Sequence, residues 1–305
     1  MKKNDGGNGM FKAYEIAGEM LRDRLKDTDK EAAGDFDSLG SNDVIVAKGS
    51  YDYIENVFSK INLPHQVVDP REIDRFSLDP KQIVFLNCPG NLSNAGVRNL
   101  VGFVENGGFL FTTDWALKHV IERGFAGTLR YNGNSTADEV VRVEINAKDD
   151  PFLQSLISED DDPQWWLEGS SYPIEVLDPK VEVLVRSKEV KEKYGESAVF
   201  TSFDWGKGKV YHMISHFYLQ RTETRSERHR RSSTGYVESK LKMSEKRMMK
   251  YASYKTDESS LGEVESAYSS SSLMGSVILE KSRRNRKKKS SDQEPQKYEP
   301  SKKGK

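Results

Sequence analysis

The sequence predicts an α/β fold, an open sheet in a three-layer arrangement with antiparallel additions, followed by a disordered C-terminal tail. Three observations predict it. Fully apolar runs such as Ile83-Val84-Phe85-Leu86 and Phe109-Leu110-Phe111 alternate with stretches of helical periodicity, as strands buried on both faces of a mostly parallel sheet do. Residues 140–145 and 181–185 instead alternate apolar and charged side chains, which marks strands with one wet face. Charge supplies the third observation. Residues 1–220 hold 25 Lys/Arg against 36 Asp/Glu and residues 221–305 hold 22 against 12, so a formal net charge of −1 conceals an acidic body and a basic extension.

In chain order, residues 1–9 form a Gly/Asn-rich lead. Phe11, Tyr14, Ala17, Met20, Leu21 and Leu25 then recur at three- and four-residue spacing, an amphipathic helix. Residues 27–42 are acidic with Gly and Ser and read as a linker, so 1–42 is an N-terminal helix and linker. From 43 the alternation begins with a strand at 44–47, a helix carrying Tyr53, Ile54, Val57, Phe58 and Ile61, and strands at 65–68 and 83–86. The last runs into the loop Asn87-Cys88-Pro89-Gly90. Ser93 caps a helix that buries Val97, Leu100, Val101 and Val104, and Asn106-Gly107-Gly108 end it. After a strand at 109–113, Asp114 is expected to cap a helix over 115–123 with Ala116, Leu117, Val120 and Ile121 inward. Residues 198–203 and 210–215 flank Asp204-Trp205-Gly206-Lys207-Gly208-Lys209, a hairpin pattern. Residues 43–220 thus make one α/β domain. Beyond 221 Ser, Lys, Arg and Glu dominate. Residues 236–254 have a weak amphipathic pattern and 273–279 form an apolar island, but the stretch 221–305 lacks the apolar surface to offset chain entropy and reads as mostly disordered.

Cys88 is the single cysteine, which excludes an internal disulfide and a cysteine-rich zinc site. No run approaches the ~18 apolar residues of a membrane helix, and no apolar stretch of a signal peptide follows Met1. A cytoplasmic protein without a transmembrane segment is expected.

A strand running into a Pro/Gly loop (83–90), a helix opening at Leu92-Ser93, the Gly107-Gly108 pair and a sharp junction at Thr112-Thr113-Asp114-Trp115 follow in order. A late Trp205-Gly206-Lys207-Gly208-Lys209-Val210-Tyr211 then leads into His216. Over residues 43–220 this order resembles the class I glutamine amidotransferase-like superfamily, in its ThuA-like and β-galactosidase trimerisation-like branches. The resemblance implies a flavodoxin-like sheet with a site at its C-terminal edge. Active amidotransferases place a cysteine at the strand-to-helix junction, with a histidine as base. Here the junction carries Asp114, where ThuA-like members often have a histidine, and His216 falls near the family's base. What the resemblance implies is a non-catalytic amidotransferase-like domain that keeps the pocket without its nucleophile and binds a small molecule or a protein partner. The alternative is a hydrolase with an altered site around Asp114, His216, Cys88 and Glu168, acting on a carbohydrate- or amide-containing small molecule.

Asn87, Cys88, Gly90, Thr113, Asp114, Trp115, Trp166, Glu168 and His216 are the expected ligand-binding residues, and Asp114, His216 and Cys88 the catalytic candidates. Cys88 stands at the C-terminal end of a central strand, where open sheets keep their crevices, and reads as nucleophile, pocket lining or packing. His212, His216 and Asp114 have the composition of a two-histidine, one-carboxylate metal site, yet Met213 and Ile214 mark the segment as core; no metal and no cofactor are expected. Trp165-Trp166-Leu167-Glu168-Gly169-Ser170-Ser171-Tyr172-Pro173 reads as a loop whose rings stack on a sugar or nucleobase, or as an anchor pinning that loop. Asp160-Asp161-Asp162 lacks the spaced oxygens and glycine of a calcium loop and reads as an acidic turn. Gly206-Lys207-Gly208-Lys209 is a turn rather than a phosphate loop. Arg230-Arg231-Ser232-Ser233 has the form of a basophilic phosphorylation site. The run 281–289, seven cations in nine residues, suits weak polyanion or nucleic-acid binding, or a tail lying on the domain's own acidic face.

Overall fold

Short strands whose residues are all buried need cover on both faces, and chain order decides how they get it. A computed structural model describes residues 6–146, 164–216, 230 and 259–293, with 6–8, 164 and 289–293 described by backbone alone. The expectations for residues 160–162, 236–254 and Ser232-Ser233 lie outside the described residues. Strands β1 (Val44–Ala47), β3 (Ile83–Leu86) and β4 (Phe109–Thr113) are buried throughout, as their uninterrupted apolar character requires. With β2 (Gln66–Val68) and β12 (Gly208–Met213) they form a parallel core in the order β2-β1-β3-β4-β12. The chain moves outward from β1 to β2 and then in the opposite direction from β3 to β4. Right-handed crossovers therefore set helices α3 (Ile54–Lys60) and α4 (Asn94–Glu105) on opposite faces. The direction reverses between β1 and β3, and an open α/β sheet keeps its crevice at that reversal.

The caps follow the sequence. Ser93 accepts from the amides of Ala95 and Gly96, and Gly107, at φ 120°, ends α4. The hairpin is as expected, β11 (Ala198–Trp205) returning through Gly206-Lys207 to β12. Beyond β11 the sheet continues antiparallel through β10 (Glu182–Arg186) to β7 (Glu144–Ile145), with β9 (Ile174–Val176) and β5 (Leu129–Tyr131) as a side branch. The strand expected at 140–145 divides at Val143. Its first part, β6 (Glu139–Arg142), leaves the main sheet to pair with β8 (Gln164–Leu167). Trp165 and Trp166 consequently lie on a strand rather than a loop. After β4 a π turn (Leu117–Ile121) and a short helical turn α5 (Glu122–Gly124) replace the expected α-helix, while α6 (Lys188–Tyr194), capped by Ser187 and closed by Gly195 at φ 91°, is an element the sequence reading omits.

Two further differences concern the helical layer beside α3. The expected linker contains α2 (Lys30–Asp37), which Asp29 caps through the amide of Ala32 and which buries Ala32, Ala33 and Phe36 against α1 (Gly6–Thr28). Within the tail expected to be disordered, Leu261–Gln293 forms a helix, α7, lying along α1 and α2. Val264, Ala267, Tyr268, Met274, Val277 and Ile278 are buried. So are Ser271 and Ser272, because small side chains let the helices approach closely. At Gly275 an added Cβ would stand 3.1 Å from Leu21 Cδ2. The Ser-rich composition that suggests a solvated chain here supplies a packing seam.

The charge asymmetry of the sequence is resolved along the same helix. Lys281 is buried and donates to the carbonyls of Pro80 and Gly107 at 2.5 and 2.6 Å. Arg283 pairs with Asp29, Arg284 with Asp204 and Glu280, and Arg286 with Glu31 and Asp35. The first half of the basic run thus lies on the domain's own acids. No helix of the described residues is long and apolar enough to cross a membrane.

Candidate functional site

The C-terminal ends of the adjacent strands β3, β4 and β12 deliver Cys88, Asp114 and His216 to one place. The loops after β1 and β3 meet first. Ser50 donates its amide to the Cys88 carbonyl at 2.9 Å, and Gly49 has to be glycine because a Cβ there would lie 2.2 Å from that oxygen. Asn87 is spent on this junction, accepting from the amide of Ile54 and donating to Glu55 at 2.8 Å, and Thr113 Oγ1 accepts the Cys88 amide at 3.1 Å. Gly90, at φ 69°, turns the loop against Ala116.

Asp114 has φ 44°, a left-handed conformation in which Asp is one of the better-tolerated residues and still a strained one. That rotation explains why its side chain caps no helix, contrary to expectation. Instead of turning toward the following amides, the carboxylate faces the sheet edge. Oδ1 accepts the Tyr172 amide at 2.9 Å, and Oδ2 accepts the Ser171 hydroxyl at 3.2 Å, with the Cys88 thiol donating at 3.9 Å. His216 Nε2 lies 3.3 Å from the same Oδ2, and its Nδ1 meets a Glu168 carboxylate oxygen. The histidine side chain is only 5% exposed and that of Asp114 only 4%. Thr136 fixes the Glu168 segment by donating its hydroxyl to the Glu168 carbonyl and accepting the Ser171 amide, and Ser170, at φ 73°, reverses the chain so that Ser171 and Tyr172 reach Asp114.

The electrostatics follow from burying one imidazole among carboxyl groups. Burial alone would lower the His216 pKa, but hydrogen bonds from Asp114, Cys88 and Glu168 outweigh it and hold the ring well above its usual 6.5. Burial pushes Glu168 up to about 7 against the opposing pull of His216, with Asp52 and Asp114 adding to the rise. The Cys88 thiol is raised by burial, partly offset by His216. Asp52, buried at the end of the β1 loop, is a further acid the sequence reading omits. Among the described residues, Cys88, Asp114 and His216 are the set with metal-ligand spacing, their donor atoms all within 4.8 Å of one another. His212 takes no part. It stays on β12, accepts or donates at Thr112 Oγ1 at 2.8 Å, and burial lowers its pKa to about 3, so it is a core histidine.

An aromatic wall stands beside the centre. Trp115 stacks on Tyr172 with centroids 5.6 Å apart, Tyr172 on Tyr131 at 4.0 Å, and Tyr51 meets Trp115 edge-on at 5.2 Å. The Trp115 indole donates to the Ser170 carbonyl at 2.7 Å, which ties the wall to the Glu168 segment. Trp166 points elsewhere, to Asp138 at 2.7 Å, while its neighbour Trp165 donates to Ser215 next to His216. Alternation along β8 exchanges the two rings relative to expectation. Tyr172 and Ser171 were visible in the sequence only as neighbours of Glu168; no local signal marks them as partners of Asp114.

No protein family profile and no curated protein matches the chain. Among solved structures, a putative ThuA-like protein from Bacteroides uniformis shares 12% identity over 58% of this chain and 83% of its own, at a TM-score of 0.42. A cytoplasmic protein from Salmonella typhimurium shares 10% over 57% of this chain and 87% of its own, at 0.39. A β-galactosidase from Bacillus circulans sp. alkalophilus shares 11% over 59% of this chain and 29% of its own, at 0.41. The chain spans only about three-tenths of the length of the glycosidases it matches.

Proposed function

We propose that this chain is a hydrolase of the reducing cytoplasm acting on a carbohydrate- or amide-containing small molecule, with His216 as the proton-transferring group. The observation that carries this reading is the bracketing of one buried imidazole by carboxylates on both ring nitrogens. Buried charges are costly unless they are paired, and a domain that only stacked its ligand on aromatic rings would have no need of four titratable side chains beneath them. Glu168 on Nδ1 fixes the ring's orientation and tautomer, leaving Nε2 to take or give a proton on the side of Asp114 and Cys88. The wall of Trp115, Tyr172 and Tyr51 supplies flat apolar surface of the kind sugar rings stack on. Cys88 is a poor nucleophile here, since it is fully buried and burial favours its thiol over the thiolate. Water is the better-supported attacking group.

The test is turnover by the full-length chain on panels of chromogenic glycosides, aryl amides and aryl esters. His216→Ala is expected to lower kcat/KM on the responsive substrate by about 100-fold or more, the usual range for a lost general base or acid. A ligand that raises Tm in the wild type and in His216→Ala alike, with no turnover of any substrate, would instead establish the non-catalytic binding domain.

A further inference from the structure

We propose that Cys88, Asp114 and His216 are the three protein ligands of a divalent transition-metal site of the kind zinc occupies, with Glu168 as the carboxylate that orients the histidine. The donors are a thiol sulfur, an imidazole nitrogen and a carboxylate oxygen. That mixture suits zinc and its neighbours and excludes magnesium and calcium, which take oxygen ligands.

Distance and placement support it independently of the chemistry. Zinc binds N and O at about 2.0–2.1 Å and S at about 2.3 Å, so two ligands of a tetrahedral site stand roughly 3.3–3.6 Å apart. Asp114 Oδ2 lies 3.3 Å from His216 Nε2 and 3.9 Å from Cys88 Sγ, within a few tenths of an ångström of those edges. The third separation is inside the 4.8 Å limit that all three donors share. Each ligand stands just past the end of its own strand, and the three strands β3, β4 and β12 are consecutive in the parallel sheet, so the spacing is set by a rigid layer. Three protein ligands leave a fourth position for water, the pattern of a catalytic rather than a structural zinc.

The groups around the ligands are those a metal site needs. Metal-binding histidines commonly give their second nitrogen to a carboxylate, as His216 gives Nδ1 to Glu168. Asp114 Oδ1 is held by the Tyr172 amide, and Oδ2, which also accepts the Ser171 hydroxyl, is turned toward the other two donors. Glu168 Oε1 is buried without a hydrogen bond among the described residues. On binding, the Cys88 thiol and the protonated His216 Nε2 each give up a proton, and both protons pass to buffer.

This inference rests on the same centre as the hydrolytic reading, with a metal-bound water taking over from His216 Nε2 as the proton-transferring group, but its readout is metal content and spectrum rather than turnover. Full-length chain loaded with zinc and freed of excess by gel filtration is expected to carry equimolar metal. With cobalt(II) in place of zinc it should show intense visible bands of a tetrahedral site and a near-ultraviolet thiolate-to-cobalt band, which Cys88→Ser abolishes. Glu168→Gln, which touches no metal, should weaken zinc binding by about 10- to 100-fold. Circular dichroism establishes that each variant is folded, and if Cys88→Ser does not fold, loss of the tetrahedral spectrum in Asp114→Asn carries the test. Only trace zinc in the wild type, or a cobalt spectrum unchanged by both ligand substitutions, overturns the proposal. Stoichiometric zinc without turnover would remove the hydrolase and leave the metal site, whereas turnover by a chain that binds only trace zinc and gives no tetrahedral cobalt spectrum would remove the metal site and leave the hydrolase.

Discussion

Truncating Met274 to alanine tests whether the C-terminal helix belongs to the fold. Met274 is 0% exposed on α7, one residue before Gly275 meets Leu21 of α1. Removing the side chain beyond Cβ forfeits the transfer free energy of the deleted atoms and leaves a void whose walls, two packed helices, collapse only in part. Substitutions of this kind cost about 2–5 kcal/mol. For a domain of this size each kcal/mol moves Tm by about 2–4 °C, so a mid-range loss of ~3 kcal/mol lowers Tm by roughly 6–12 °C. Thermal unfolding followed by far-ultraviolet circular dichroism measures it, with Ser266→Ala at an exposed position of the same helix as the control and an expected change within ~0.5 kcal/mol. If Met274→Ala is as silent as the control, the helix does not contribute to the folded unit and the packing argued above is wrong.

Three other outcomes follow from the same structure. Glu168 is held at about 7 against an ordinary 4.5, so between those values the folded state keeps a proton that the unfolded chain has lost, and stability falls as pH rises. The raised His216 acts in the same direction above 6.5, and Glu168→Gln should flatten the 4.5–7 part of the curve in denaturant titrations; an unchanged slope would contradict the assigned burial. Cys88, buried and the single cysteine, should react with a thiol reagent at neutral pH only as fast as the site opens and fully after unfolding, whereas immediate stoichiometric labelling of the native chain would show an open crevice. Lys281→Glu sets a carboxylate against the Pro80 and Gly107 carbonyls and should cost about 1–3 kcal/mol or more in urea unfolding, the penalty of leaving buried acceptors without a donor; a loss under ~1 kcal/mol would show that the ammonium is not seated there.

What the sequence made legible is what local pattern determines. The runs Val44–Ala47 and Ile83–Leu86 could only be strands buried on both faces, and Ser93 with Gly107 bounds α4 by capping chemistry alone. Ordering those elements placed Cys88, Asp114 and His216 at one sheet edge, because parallel strands end together. Contacts made by chain reversal were not legible. Ser171 and Tyr172 reach Asp114 across more than fifty residues through the left-handed Ser170, and no local pattern in residues 168–173 encodes a destination. The exchange of Trp165 for Trp166 is a question of strand phase, which a loop reading leaves undefined. Helix α7 was hidden by composition. Ser269–Ser272 read as polar, but a serine on a helix facing another helix acts by its smallness, and its hydroxyl need not meet water.

The acid at the junction after β4 ties these observations together. A left-handed non-glycine residue costs about 1–3 kcal/mol and persists only where its surroundings over-determine it. At Asp114 they do: the amide is bonded to the Met213 carbonyl at 2.8 Å, and the carboxylate takes the Tyr172 amide, the Ser171 hydroxyl and the imidazole. A nucleophile at such a junction must keep lone pairs free for a substrate, and this carboxylate does the reverse, spending its oxygens on groups that immobilise it. The thiol, meanwhile, has its place one strand away at the end of β3, pointing at the same oxygen. Under the proposed metal site, this immobilised acid, with sulfur and imidazole converging on one of its oxygens, would serve to hold a cation rather than to attack a carbonyl.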